Sequence, residues 1–297
     1  MPSVITIGTF DGVHIGHQKI IERLVRVGKN KSLESLVLTF FPHPRMVVQK
    51  DANIKLLNTI DERKELLSKL HLNALVIKTF NKDFSNLSAR EYVKTILVDE
   101  LNAKHIIIGY DHHFGKNRSA NINDLKTFGK EYGFEVEEIS AQDIKDVAVS
   151  STKIRHAISN GDLRTANLYL GYSYVLSGIV IKGKGLGRQI NFPTANIKIN
   201  EDYKLIPKNG VYVVKSVIED STVYGMMNIG TNPTVNGVNQ SIEVHFFGLD
   251  KNLYDQHLQI SILHRLRNEH KFESLDMLVE QLKTDQEDAL HYIKTNE

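Results

Sequence analysis

The sequence contains no cysteine in 297 residues. That absence excludes disulfides, thiolate nucleophiles, zinc–thiolate sites and iron–sulfur clusters, so any metal has to be held by oxygen or imidazole. An excess of one charge sign is also lacking. Lys and Arg number 37 against 35 Asp and Glu, a net +2, and no basic tract marks a face for duplex nucleic acid. Long hydrophobic runs are missing too. No apolar segment nears the roughly 20 residues of a membrane helix, and the opening MPSVITIGTFDG has neither the basic start nor the apolar stretch of a signal peptide. The expectation is a cytoplasmic protein without membrane or nucleic-acid partners, with small anionic ligands left open. What is present, 41% hydrophobic and 24% charged residues, suits ordinary globular protein, and the length suits about two domains.

The first part alternates short apolar runs with helical periods: Val4 to Ile7 then Gln18 to Val27, Leu36 to Phe40 then Asp61 to Leu70. Ala74 to Ile77 precedes Ser88 to Leu101, which opens on a capping box at Ser88 and Glu91, and His105 to Ile108 precedes Ile122 to Tyr132. This alternation predicts an α/β domain with a doubly wound parallel sheet over residues 1–170. Beyond Gly171 the runs are strand-like and separated by turns: Tyr174 to Ile181, Gly210 to Val217, Thr222 to Asn228 and Ser241 to Gly248. They predict an antiparallel barrel or sandwich over 171–297, closed by one helix from about Ser274 to Ile293. Its apolar stripe holds Leu275, Leu278, Val279, Leu282, Ala289 and Ile293.

The first predicted strand runs into Gly8-Thr9-Phe10-Asp11-Gly12-Val13-His14-Ile15-Gly16-His17. Loops at the carboxyl ends of parallel strands form the ligand crevice, and a helix start there presents unpaired N–H groups to an anion. His14 and His17, three apart, share a face of the first turn, and glycines let the backbone approach a ligand closely. Phosphate is favoured over a metal, because no carboxylate or third histidine lies at a matching offset. A second helix start, Ser150-Ser151-Thr152-Lys153-Ile154-Arg155, offers capping hydroxyls and a guanidinium. By itself it is also compatible with ordinary capping.

In this order and spacing GTFDGVHIGH, TFFPHP, GYDHHFG and SSTKIR resemble the FMN adenylyltransferase module of the bacterial bifunctional riboflavin kinase/FAD synthetase family. The resemblance implies a nucleotidylyl transferase-like domain. In it His14, His17, Ser151, Thr152 and Arg155 bind the ATP phosphates, Gly8, Phe10 and Gly16 line the nucleotide, and Asp111 sits beside the flavin or ribose.

Gly178 to Gly185 imitates a P-loop until its hydroxyl position, which is Gly185, and neither a helical period nor a dinucleotide fingerprint follows. After it come Arg188-Gln189-Ile190-Asn191-Phe192-Pro193-Thr194-Ala195-Asn196. On a strand, Thr194 and Asn196 face the same side and offer oxygens to a hard cation. Glu243, inside an apolar strand, reads from alternation alone as a solvent-facing residue. GKGLGRQINFPTAN, NIGTNPT, EVHFF, LYDQ and LRNEHKF, however, resemble the riboflavin kinase module of the same family. That resemblance implies that Thr194 and Asn196 bind Mg²⁺ with ATP, that Gly183, Gly185 and Arg188 border the nucleotide, and that Glu243 is the base for the riboflavin 5′-hydroxyl. The implied activity converts riboflavin and ATP to FMN, then FMN and ATP to FAD and pyrophosphate. Two alternatives stay open at this point: a paralogue with one active half, and a flavin-binding regulator.

Overall fold

The computed structural model describes residues 1–49, 54–109, 112–139, 149–183, 185–234 and 237–297, with backbone only at 232–234 and 237–239. The chain forms two compact units, Met1–Ser151 and Thr152–Glu297.

In the first unit five parallel strands, β1 (Ser3–Ile7), β2 (Glu34–Phe41), β3 (Ala74–Thr79), β4 (Ala103–Gly109) and β5 (Glu135–Ile139), form a sheet in the order β3-β2-β1-β4-β5. Helices α1 (Ile15–Lys31), α2 (Pro44–Val48), α3 (Ile60–Ser68), α4 (Lys82–Ser85), α5 (Ala89–Tyr92) and α6 (Ile122–Tyr132) fall in the connections. Alternation along the strands divides the core in two. Val4, Val37 and Ile107 pack with Ile21, Leu24 and Val27 of α1 and Leu67 of α3. Ile5, Leu38 and Ile106 pack with Val93, Leu97 and Leu125. Both faces are covered, as a parallel sheet requires, and the doubly wound expectation holds. The chain winds outward in one direction through β2 and in the other through β4, so the switch point lies between β1 and β4, where such sheets hold ligands.

Two details differ from the sequence pattern. The helix expected over 88–101 keeps its capping box at Ser88 and Glu91 but widens into a π-helix at Val93–Glu100. Leu101 N–H accordingly reaches back five residues to the Ile96 carbonyl. β5 carries Glu135, Glu137 and Glu138, which masked it as a strand. At the sheet edge those carboxylates pair with cations outside the core: Lys31 with Glu135 at 2.5 Å and Arg23 with Glu137 at 2.8 Å.

The second unit holds most of α7 (Ser151–Asn160), then α8 (Leu163–Leu170), α9 (Leu186–Gln189) and α10 (Leu275–Asn296). Strands β6 (Tyr174–Ile181), β7 (Ala195–Lys198), β8 (Gly210–Ile218), β9 (Ser221–Thr234), β10 (Gly237–Phe246) and β11 (His257–Arg267) close into an antiparallel barrel, β10-β7-β6-β11-β8-β9. Closure removes free sheet edges. The Gly-rich stretch does open a helix, contrary to expectation, but only the single turn α9, entered through Gly185 at φ 76°. The stripe expected on α10 is also shorter. Ala289, Tyr292 and Ile293 pack against Val213 and Leu263, whereas Leu275 is exposed. The helix is held instead by buried Asp285, which accepts a bidentate pair from Arg267 at 2.7 and 2.6 Å. Among the described residues no helix is long and apolar enough to cross a membrane.

Candidate active sites

In the first unit the site grows from the loop between β1 and α1. Gly8 N–H donates to the Leu38 carbonyl at 3.1 Å, and Thr39 Oγ1 donates to the Thr9 carbonyl at 3.2 Å, which ties the loop to β2. Phe10 and Val13, both buried, sit at φ 48° and 36°, left-handed values costly for side chains of this bulk. The loop is held there from several sides. Asp11 Oδ1 accepts from the N–H groups of Leu57 and Asn58 at 2.9 and 3.3 Å and lies 3.8 Å from Arg63 Nη2, both side chains being about 1% exposed. Gln18 Nε2 donates to the Val13 carbonyl at 2.8 Å. Ser151 Oγ donates to the Asp11 carbonyl at 2.8 Å, so the last residue of this unit also fastens the loop.

His14 caps α1, its Nδ1 accepting from His17 N–H at 3.4 Å, and the two imidazoles stack at 3.6 Å. Gly16 lies buried between them in the chain, and Phe10 meets the His17 ring edge-on at 5.1 Å. Burial lowers the pKa of His14 from 6.5 to about 4. Burial first, then the charges of His14 and Arg63, lower that of His17 well below its ordinary value. Both rings are therefore neutral at pH 7, each with one N–H to donate, and His17 Nδ1 is a buried polar atom with no hydrogen-bond partner. An unpartnered buried polar atom at a helix start is a candidate contact for a ligand. Of the second motif, Ser151 lies in this unit and Thr152 and Arg155 in the other, where Arg155 Nη2 donates to Thr152 Oγ1 at 3.4 Å. Asp111 lies outside the described residues.

In the barrel the site depends on register. Along β10, Ile242, Val244 and Phe246 are buried, which turns Glu243 to the opposite face, half-buried. Alternation thus described its direction correctly, but the face is not bare. Glu243 is the register partner of Asn196 on β7 and of Asn228 on β9, so three polar residues form a row across three strands. Thr194, just before β7, donates from Oγ1 to Glu243 Oε2 at 3.3 Å. His245 Nδ1 lies 2.8 Å from the Pro193 carbonyl, holding the approach to β7. Gly183 packs so closely on Asn196 that a Cβ there would fall 2.2 Å from its Nδ2. Arg188, exposed on α9, borders one cleft with Thr194, Val244 and Tyr254.

The sequence pattern missed Asp11, Arg63 and Asn228. Arg63 had a signal: it stands four residues before Leu67 on the buried stripe of α3, where an apolar residue is the rule. No group of three or more His, Asp or Glu suited to a metal occurs among the described residues.

Comparison with known proteins agrees with this division. The FAD synthetase family matches residues 1–153 and the riboflavin kinase family residues 170–293. A bifunctional riboflavin kinase/FMN adenylyltransferase of Listeria monocytogenes is 38% identical, the match covering 96% of this chain and 91% of that protein. The Escherichia coli K12 protein of the same description is 34% identical over 95% of this chain and 90% of its own. A crystal structure from Streptococcus pneumoniae, described as a macrolide-efflux protein, shares 30% identity and superposes with a TM-score of 0.87, covering 96% of this chain and 93% of that one. A parallel-sheet unit with a histidine-capped helix at its switch point, a barrel with a strand-borne carboxylate, and relatives that span both place the chain among the bifunctional riboflavin kinase/FMN adenylyltransferases, which phosphorylate riboflavin to FMN and adenylylate FMN to FAD.

Proposed function

We propose that the two reactions divide between residues 1–170, which adenylylate FMN, and 171–297, which phosphorylate riboflavin, and that the polar groups described above carry them. The observation that carries the kinase assignment is the Thr194 to Glu243 contact at 3.3 Å beside the Asn196 partner. Glu243 accepts the proton of the riboflavin 5′-hydroxyl as that oxygen bonds to the γ-phosphorus of ATP and the bond to ADP breaks. Thr194 and Asn196 offer neutral hard oxygens, a donor set that fits Mg²⁺ shared with substrate phosphates and water rather than a closed protein cage. When bound there Mg²⁺ neutralises charge on the β- and γ-phosphates. Gly183 lets the chain pass directly over Asn196, and Gly185 and Arg188 border the nucleotide.

For adenylyl transfer, an FMN phosphate oxygen bonds to the α-phosphorus while the bond to pyrophosphate breaks. The attacking phosphate is already ionised, so no base is required. His14 and His17 donate from neutral imidazoles, and Ser151, Thr152 and Arg155 complete the charge stabilisation as pyrophosphate departs. Gly8, Phe10 and Gly16 shape the nucleotide side, and Asp111 meets the flavin or ribose. The same reading has the enzyme working in the cytoplasm on riboflavin, FMN, FAD and ATP, without nucleic-acid or membrane partners.

The test is a Mg²⁺ titration of riboflavin phosphorylation by Thr194→Val. The half-saturating Mg²⁺ concentration should rise about tenfold, the loss of one good ligand interaction, while adenylylation of supplied FMN proceeds as in the parent. An unaltered requirement in the kinase step would remove Thr194 from the metal site.

A further inference from the structure

The loop that leads to the histidine pair is a tight turn with a charged residue at its tip. Val13 N–H donates to the Phe10 carbonyl at 3.1 Å, which places Asp11 and Gly12, the latter at φ 88°, at the two central positions. The Asp11 carboxylate is turned away from water. It is about 1% exposed, accepts from the Leu57 and Asn58 N–H groups at 2.9 and 3.3 Å, and meets Arg63 Nη2 at 3.8 Å. The base of this contact is firm. Leu56, Leu57, Asn58 and Thr59 are all buried, and α3 is capped reciprocally, Thr59 N–H donating to Glu62 Oε2 at 2.9 Å and Glu62 N–H to Thr59 Oγ1 at 3.1 Å. Arg63 is the next residue of that helix. From Asp11 the path to the histidines is short. Phe10, its chain neighbour, meets the His17 ring edge-on at 5.1 Å, and His14, three residues on, caps α1. The charge of Arg63 also reaches His17, where, after burial and together with the charge of His14, it opposes protonation.

We infer that Arg63 is a positioning residue for adenylyl transfer: paired with Asp11, it pins the tip of the turn and so sets where His14 and His17 stand. All of these residues belong to Met1–Ser151. A buried ion pair is a poor way to gain stability, since apolar side chains of similar volume often do as well. What it supplies here is a fixed place. Phe10 and Val13 occupy left-handed backbone that their bulk resists, so a turn released at Asp11 would relax and carry the imidazoles with it. The inference rests on the reading that His14 and His17 donate to the substrate phosphates in that step.

The experiment assays both reactions on one preparation of the full chain carrying Arg63→Gln, Arg63→Lys or Asp11→Asn, with kcat referred to the folded fraction read by circular dichroism at the assay temperature. Arg63→Gln should lower kcat for FMN adenylylation by roughly ten- to a hundredfold, the scale of small misplacements of reacting groups. KM for ATP should stay within about threefold, because the histidines act as pyrophosphate departs, and riboflavin phosphorylation within about twofold of the parent. Arg63→Lys should recover part of the loss. Asp11→Asn keeps an acceptor for Leu57 and Asn58 but not the charge. It should show the same selective defect, and the double variant Asp11→Asn/Arg63→Gln should lose less than the product of the two. In Arg63→Gln the His17 imidazole, followed by NMR, should titrate at higher pH than in the parent, a shift that a mere stabiliser of α3 would not cause. An unaltered kcat per folded molecule, or an unmoved His17 titration, would overturn the inference. His17→Ala serves as the control. If it leaves FAD formation intact, the assignment of the histidine pair itself is wrong. If it abolishes FAD formation while Arg63→Gln does nothing, only the positioning role is lost.

Discussion

The two units build their candidate sites by opposite means. In Met1–Ser151 most of the candidate groups fall in ten consecutive residues, Gly8 to His17, where a strand ends, the backbone turns through left-handed values and a helix begins. In the barrel, Thr194 and Glu243 stand 49 residues apart and meet only because β7 and β10 pair in one register. The first site is conformationally demanding but local. The second uses ordinary extended backbone, and a slip of one residue would turn Glu243 into the core. The lesson is that a sequence advertises the first kind of site by composition, whereas the second needs the pairing to be known.

The sharpest test of this comparison is Glu243→Gln, which keeps shape and register but cannot take a proton. Riboflavin phosphorylation should fall by roughly a hundred- to ten-thousandfold, with FMN adenylylation unchanged. A near-normal kinase rate, measured by chromatographic separation of FMN, would return Glu243 to the role of a surface residue. The complementary variant is His17→Ala. FAD formation should drop on the order of a hundred- to a thousandfold while FMN still accumulates, and loss of both products would point to unfolding instead. Gly183→Ala examines how closely the barrel site is packed. A Cβ 2.2 Å from Asn196 Nδ2 must displace that amide, and about tenfold should be lost from riboflavin phosphorylation alone. If the variant is fully active, Asn196 does not need its observed position.

Acid should also separate the units, with the smallest effect of the four. His14 titrates near 6.5 when unfolded and at about 4 when folded. Between those values the unfolded chain binds more protons, so stability is fully present above pH 6.5 and declines as pH falls towards 4, by at most about 1.4 kcal/mol per pH unit. Denaturant melts of His14→Gln should show a shallower decline over that window. A slope identical to the parent's would mean that the buried histidine pair does not govern the acid response.

Much of the architecture was readable because local signals agreed. Short apolar runs located β1 to β4, strand-like runs between turns located β6, β8, β9 and β10, and capping residues marked the start of the helix at Ser88. What was not readable has particular causes. In β11 the alternation of Leu258, Ile260 and Ile262 is broken by a register shift before His264, which buries Leu263 as well, so no period of two survives. β7 is four residues long with Ile197 as its only buried side chain, too short to carry a pattern. The buried pair of Asp11 and Arg63 joins a loop to a helix fifty-two residues later, and charge alone does not reveal which ions are interior. His14 and His17 were evident as a pair, yet their neutrality follows from burial, which only the fold supplies.

One consequence of the barrel's wiring concerns the order in which the protein is made. The strand that opens the barrel, β6, pairs with the one that ends it, β11, so the wall stays open until residues 257–267 have been synthesised. Arg265 belongs to that late strand, and Gly161, just after α7, packs against its side chain. A nascent chain released early would therefore carry a parallel sheet with its histidine pair but an unseated SSTKIR helix. Closure of the barrel is thereby tied to its last strand, and a chain that stops short of residue 257 leaves β6 without one of its partners.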